Sequence, residues 1–384
     1  MQGRTRASAG PVVVVGAGPA GLAAAAQLRR RGVDALVLEA GTAVGSSWRS
    51  AYDRLALHTV RSLSGLPGLR IPREAGRWVA SGELVRYLER YTTRFALHVR
   101  ADTRAARIDA APSGTGTRWT VTTEDAEVLR ARTVAVATGR NGVPFLPPWP
   151  GADDYRGSLL HAAQYRNGEP FRGLDVLVVG PGNTGTDIAV DLAEHGAARV
   201  RLAVRTPPHL VRRQTGPLPA QIVGLAAGRL PDPVVDLLGA VQIRLTVPDL
   251  GTYGLPRARD GLGTRLRLDG AIPTQDVGIV AAIRSGAVEP VPGVTAFEDD
   301  EVRLADGRRI SPSVVIAATG YRPGLEPLVG HLGVLTPTGL PRIRGGRAAA
   351  PGLAFLGYTV SLGGVLHEIG TEARRFAAEV AADR

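Results

Sequence analysis

Neither cysteine nor lysine occurs among the 384 residues. The first absence removes disulfides, thiolate catalysis and sulfur-ligated metals. The second removes Schiff-base chemistry, which needs a lysine amine. Seven histidines are present, none at His-Glu-x-x-His spacing, so no metal site is expected. The one candidate targeting segment, 11–28, is broken by Gly16, Gly18, Pro19 and Gly21 and is too short to span a bilayer. A cytoplasmic protein with no membrane partner is expected.

The formal net charge is +11, and all 46 positive residues are arginine. They are scattered, with no long basic block, so no nucleic-acid partner is expected. Arginine does suit phosphate and carboxylate recognition, because its planar fork binds two oxygens at once. An apolar fraction of 44% with 49 glycines and 28 prolines fits a loop-rich α/β protein of two or three domains.

Two glycine-rich strings stand 164 residues apart: Gly16-Ala-Gly18-Pro19-Ala20-Gly21 and Gly180-Pro-Gly182-Asn183-Thr184-Gly185. Each follows a short valine-rich run (11–15 and 175–179) and precedes an alanine-rich helical pattern. Strand, glycine turn and helix N-terminus together make a dinucleotide pyrophosphate site. Two such sites imply two dinucleotides, and the usual reason to hold two is electron transfer between them.

Along the chain, residues 1–10 read as a basic tail. Strand 11–15, helix 20–31 and strand 34–39 make a βαβ unit ending on Glu39, which is placed to hold ribose hydroxyls. Helix 81–95 and a β-rich stretch over 106–137 lead to Ala137-Thr138-Gly139. A second copy, Ala318-Thr319-Gly320, follows strand 313–317, and the chain closes with strand 353–356 and helix 366–382. The fold expected is α/β, with two nested Rossmann-like dinucleotide-binding domains. The first part of an FAD domain covers 1–150, an NADPH domain with a helical insert near 215–275 covers 151–295, and 296–384 completes the FAD domain.

The first site suits FAD. Its expected ligands are Gly16, Gly18, Pro19, Ala20, Gly21, Glu39, Gly45, Trp48, Thr138, Gly139 and Gly357. At the second, strand 199–205 ends not in an acid but in Arg205, followed by Thr206, His209, Arg212 and Arg213. A carboxylate there would repel a 2′-phosphate, whereas arginines pair with it. NADPH is therefore expected at Gly180, Gly182, Asn183, Thr184, Gly185, Arg205, Thr206, Arg212, Thr319 and Gly320. The bland alternative makes Arg205 a solvated strand-end residue.

Between the two units lies Tyr155-Arg-Gly157-Ser-Leu-Leu-His161-Ala-Ala-Gln-Tyr165. It resembles the F-x-G-x-x-x-H-x-x-x-Y/F signature of the group B flavin-dependent monooxygenases, with Tyr155 in the place of the leading Phe. The resemblance extends to both glycine strings, Glu39, Gly45, Trp48 and both Ala-Thr-Gly linkers, and so spans nearly the whole chain. Tyr165-Arg166 stands where Baeyer–Villiger members carry Trp-Pro. The stretches 52–67, 203–213 and 351–359 are similar to YUCCA-type enzymes and their bacterial relatives.

The resemblance implies a single-component monooxygenase in which NADPH reduces FAD and a C4a-(hydro)peroxyflavin oxygenates a small organic substrate with O2. It leaves open N- or S-oxygenation and oxidative decarboxylation of a 2-oxo acid. His58 stands where many relatives place a flavin-adjacent Asn. His161 is expected to orient the linker rather than transfer protons. The substrate pocket is expected from 52–67, 215–275 and 358–367, with Arg61, Arg257 and His367 as candidate carboxylate partners. The C-terminal helix is expected to aim its positive end at the flavin. The competing readings are an NAD(P)H:acceptor oxidoreductase or NADPH oxidase, and a flavin-binding sensor without turnover. A homodimer is left open. Disulfide reductases share the architecture but need a redox cysteine pair, which this chain lacks.

Overall fold

The computed structural model describes residues 11–114 and 116–383; the basic tail expected at 1–10 lies outside them. Val12–Val15, four buried β-branched residues, sits inside a six-stranded sheet. It pairs in parallel with Ala35–Leu38 on one side and with Thr133–Val136 on the other. His98–Arg100 extends the first side and Leu353–Phe355 the second, where Ala348–Ala350 closes the edge antiparallel.

A parallel sheet must be covered on both faces. One face carries helix Pro19–Arg29, whose run of four alanines (Ala23–Ala26) is buried and lets the 18-residue helix Val365–Ala382 approach closely. Helix Ser81–Arg94 completes that layer through Leu84, Tyr87, Leu88 and Tyr91. The other face is covered by the antiparallel strands Ala105–Ala110, Trp119–Thr123 and Val128–Ala131, which contribute Ile108, Trp119 and Val121 to its core.

The second sheet is all parallel, in the order Ser158–His161, Val314–Ala317, Asp175–Val179, Arg199–Val204, Glu289–Pro292. Helix Asn183–Glu194 packs on it through Ile188, Ala189 and Leu192. The opposite face is covered by the hairpin strands Val294–Glu298 and Glu301–Leu304, which supply Phe297, Val302 and Leu304.

The first sheet thus draws strands from both ends of the chain, and the second draws all of its strands from between them. The return to the first unit comes later than the boundary expected at 295–296. Residues 294–317 belong to the second sheet and its cover, because Val314–Ala317 inserts between Ser158–His161 and Asp175–Val179. The two crossings run side by side, Val143–Pro144 pairing antiparallel with Tyr321–Arg322. The insert near 215–275 forms three helices, Ala220–Ala227, Asp232–Thr246 and Leu262–Asp269, before the strand Thr274–Asp276.

Candidate active site

The two glycine turns are built alike. Gly16 has φ +106°, and a Cβ there would stand 2.6 Å from the Ala137 carbonyl oxygen; Gly180 has φ +115°, with the Ala318 carbonyl oxygen at 2.5 Å. Each Ala-Thr-Gly therefore lies against the turn of its own sheet, anchored by the Ala137 N–H on the Val15 carbonyl and the Ala318 N–H on that of Val179. The third glycines, Gly21 and Gly185, are packed against the carbonyls of Gly16 and Gly180, each 1.9 Å from where a Cβ would be. The middle glycines differ. Gly18 and Gly182 are the N-caps of helices of 11 and 12 residues, and a Cβ at either would meet nothing within 4 Å. That open backbone at a helix N-terminus is the shape a pyrophosphate needs.

Around the first turn the structure gathers the residues expected there. Glu39 is buried, and its two oxygens accept from the Ala17 N–H at 2.7 Å and the Gly41 N–H at 2.9 Å. Gly45 donates to the Ala17 carbonyl, which brings the short helix holding Trp48 back to the turn. Pro19 and Ala20 are the first two helical residues, and a Cβ on Gly357 would lie 2.9 Å from that of Ala20. Gly357 is held by its N–H on the buried Glu372 carboxylate at 2.6 Å. The Thr138 hydroxyl meets that of Tyr358 at 2.8 Å, beside Gly139.

Around the second turn the grouping is looser. Thr319 and Gly320 close over the turn, and the Thr319 hydroxyl donates to the Phe145 carbonyl of the neighbouring crossing. The Asn183 side chain is spent on the insert: its amide donates to the Pro273 carbonyl and its oxygen accepts from the Gln275 N–H at 2.8 Å. Arg205 and Thr206 are exposed immediately past strand Arg199–Val204. Arg212 is exposed on the separate strand Leu210–Arg212, and no hydrogen bond or ion pair joins it to Arg205 among the described residues.

His161 is buried at the end of its strand. Its Nδ1 accepts from the Ala163 N–H at 3.0 Å, so the proton rests on Nε2, which donates to the Gly320 carbonyl at 3.0 Å. Burial lowers its pKa. A neutral imidazole with both nitrogens engaged pins the signature segment to the second Ala-Thr-Gly.

Where the units meet, strand Ala56–Val60 places His58 against helix Asn183–Glu194. The His58 Nε2 stands 3.7 Å from Oδ2 of Asp187, and the Tyr52 hydroxyl donates to that oxygen at 2.8 Å. Burial pushes the Asp187 carboxyl up to about 6 and the Tyr52 phenol well above its usual range. Burial, with the nearby Arg213 cation, lowers His58 to about 4. His58 is thus neutral at working pH, and the approach to Asp187 is no ion pair. Its Nδ1 is buried with no hydrogen-bond partner among the described residues. Arg213 turns toward the first unit, its guanidinium 4.1 Å from the Trp78 ring centroid and bonded to the Leu57 carbonyl. One turn along the helix, Asp191 accepts from the Tyr165 hydroxyl at 2.6 Å.

The three segments expected to enclose substrate come together through Gln221. This buried side chain accepts from the Val60 N–H at 2.9 Å and donates to the Gly363 carbonyl at 2.7 Å. The three candidate carboxylate partners are not brought together. Arg61 bonds the Ile71 carbonyl, His367 is exposed, and Arg257 lines, with His209, a separate cavity of about 250 Å³ inside the insert.

Asp187, Tyr52 and Gln221 are absent from the sequence-based expectations. A signal existed for the first: Asp187 and Asp191 recur at i, i+4 on an otherwise apolar helical face (Ile188, Val190, Leu192), where an unpartnered carboxylate is costly.

A family model described as pyridine nucleotide-disulphide oxidoreductase matches residues 13–217, which places the chain among the two-dinucleotide oxidoreductases. Indole-3-pyruvate monooxygenase YUCCA1 of Oryza sativa subsp. japonica is 38% identical over 314 residues, covering 81% of this chain and 76% of the relative. Probable indole-3-pyruvate monooxygenase YUCCA7 of Arabidopsis thaliana is 33% identical over 92% of this chain and 84% of its own. Among solved structures, a flavin-containing monooxygenase from Stenotrophomonas maltophilia superposes with a TM-score of 0.71 at 26% identity, covering 98% of this chain and 99% of that one. A bacillithiol disulfide reductase from Bacillus cereus, at 20% identity and a TM-score of 0.68, shares the fold, and this chain has no cysteine. The chain belongs to the group B flavin-dependent monooxygenases, in their YUCCA-like branch. It is accordingly an oxidoreductase acting on a small molecule with O2, and its cofactors are FAD and NADPH.

Proposed function

We propose that FAD is held at the first glycine turn and NADPH at the second, and that the chain carries out the oxidative decarboxylation of a 2-oxo acid with an apolar side chain. The balance is one 2-oxo acid, O2, NADPH and a proton giving the shortened acid, CO2, water and NADP+. What most supports the assignment of cofactors is the open backbone at Gly18 and Gly182, each at a helix N-terminus facing out of its sheet. The choice of a 2-oxo acid rests on relatives named indole-3-pyruvate monooxygenases at 31–38% identity. N- and S-oxygenation remain the alternatives to be measured against it.

The bound flavin supplies two-electron reduction and activation of O2; the chain supplies position and dryness. Glu39 offers its carboxylate to the ribose hydroxyls beside the first turn, and Arg205 meets the 2′-phosphate at the second. Thr138 and Gly139 line the first turn, Thr319 and Gly320 the second. His161 fixes the second Ala-Thr-Gly by its bond to Gly320. His58, neutral and half-buried, offers a buried Nδ1 with no hydrogen-bond partner among the described residues. Gln221 joins β-strand, insert and glycine loop into one wall. Helix Val365–Ala382, capped by Gly364, begins at that loop, so the positive end of its dipole opens beside the same wall. Action in the cytoplasm is part of this reading, and no helix among the described residues is long and apolar enough to cross a membrane.

The test is coupling. Purified FAD-loaded enzyme is offered aromatic 2-oxo acids, tertiary amines and sulfides, and NADPH loss, CO2, peroxide and product are counted together. The reading expects one CO2 per NADPH with a 2-oxo acid and little peroxide. Stoichiometric peroxide with every substrate would assign the chain to the NADPH oxidases instead.

A further inference from the structure

Helix Asp232–Thr246 carries aliphatic side chains on two faces, yet it is covered on one side only. Val235 is its single buried residue, and with Gly239 and Ile243 it faces helix Leu262–Asp269 and the insert's cavity. At 100° per residue, Val234, Leu237, Leu238, Val241 and Leu245 fall within a 100° arc on the opposite face. All five are exposed, Leu237 to 66% and Leu245 to 81%. A helix hydrophobic on both faces is normally buried on both. Ile222, Leu230 and Leu268 of the same insert are exposed as well.

We propose that this stripe is a self-association surface, covered in solution by the same stripe of a second copy across a two-fold axis. Three observations select that occupant. The spacing 234, 237/238, 241, 245 is the alternating three-and-four step by which two helices interlock side chains along a seam, and a two-fold axis requires only one self-complementary patch. The size is that of an interface centre. The five side chains of the stripe expose roughly 300 Å² of apolar area, taking about 100 Å² for a fully exposed one. That is more than half of the ~480 Å² that the apolar part of a standard interface contributes, at ~800 Å² per partner and ~60% apolar. Finally, the charge is wrong for the main competitor, an anionic lipid surface. Residues 215–275 hold six arginines and five aspartates, a net of +1 in a chain of +11, so the patch lacks the basic rim that draws such a helix to a bilayer.

The cysteine-free background provides the experiment. In FAD-loaded protein, Val241→Cys introduces the only thiol, at the centre of the stripe. Val128→Cys places one at an exposed apolar position on the first unit instead, where Val128 is 57% accessible. Mild oxidation at micromolar protein should give a covalent dimer with Val241→Cys and none with Val128→Cys. Sedimentation velocity should show the unmodified enzyme at twice the chain mass. Leu237→Glu/Leu245→Glu should be monomeric with its flavin content unchanged; Leu237→Ala/Leu245→Ala serves if the charged variant fails to fold. A wild-type monomer up to tens of micromolar, or a dimer that survives these substitutions without cross-linking at Val241→Cys, overturns the proposal. So does a monomer that pellets with phosphatidylserine vesicles, which would give the stripe to a lipid surface.

Discussion

Replacing Gln221 by leucine tests whether three distant segments are held by one side chain. The substitution keeps nearly the same volume but removes both polar atoms. The Val60 N–H and the Gly363 carbonyl, 2.9 and 2.7 Å from the amide in the native protein, are then left without it in a buried setting. A stranded buried donor or acceptor costs about 1–3 kcal/mol, so the pair should cost about 3 kcal/mol after partial relaxation. For a chain of 384 residues that corresponds to a melting temperature lower by roughly 4 °C. The loss should appear in thermal unfolding followed by flavin fluorescence, since segments 59–60 and 361–364 border the first unit. Gln221→Glu should be no better, because its second oxygen would face the Gly363 carbonyl. A melting temperature within a degree or so of wild type for Gln221→Leu would show that this bridge carries no stability and that the wall is held by apolar packing alone.

Asp187→Asn should separate burial from pairing. In the folded protein the Asp187 carboxyl is raised from its ordinary 3.8 to about 6 by burial, so the unfolded chain ionises first as pH rises. Its contribution to stability is therefore intact below about pH 4 and falls through about pH 6, by ~3 kcal/mol for about two pH units. Asn still accepts from Tyr52, so urea titrations should show the variant gaining on wild type by up to that amount between pH 4 and 7; a constant difference would refute the assignment. Arg205→Ala should raise the KM for NADPH about 10- to 100-fold, the worth of a lost charge-assisted contact, and leave NADH nearly unchanged; equal effects would make Arg205 a solvated strand end. Gly18→Ala should fold normally but bind FAD more weakly, because its Cβ would meet no protein atom within 4 Å and would stand where the pyrophosphate is proposed to lie. Gly21→Ala, aimed at the Gly16 carbonyl 1.9 Å away, should lower the stability of the flavin-free protein itself. Equal flavin-free melting temperatures for the two would contradict that division.

The glycine turns were legible in the sequence because backbone constraints leave residue-type signatures. Gly16 and Gly180 need positive φ beside a carbonyl, Gly21 and Gly185 need the absence of a Cβ, and the valine runs before them declare buried parallel strands. The nesting followed from two Ala-Thr-Gly copies. The boundary was misplaced because strand Val314–Ala317 enters the second sheet by pairing with Asp175–Val179, about 140 residues earlier, and local pattern carries no information about so distant a partner. His58 and Arg213 could be named but not placed, since their positions depend on how helix Asn183–Glu194 docks on segment 52–60. Gln221 left no trace at all: one amide in an alanine-rich helix looks the same whether it faces water or bridges two backbones.

The side-by-side crossings at Val143–Pro144 and Tyr321–Arg322 have an engineering corollary. Because entry and exit are adjacent, everything between them is a cassette whose two chain connections leave the host at one place, although Gln221, Asp187 and Arg213 also touch the host. Excising it should leave two chain ends that a short glycine link can rejoin with little loop-closure cost, yielding a miniature flavin carrier. The excised module, its own ends likewise adjacent, could be grafted into a different carrier to change which reductant feeds it.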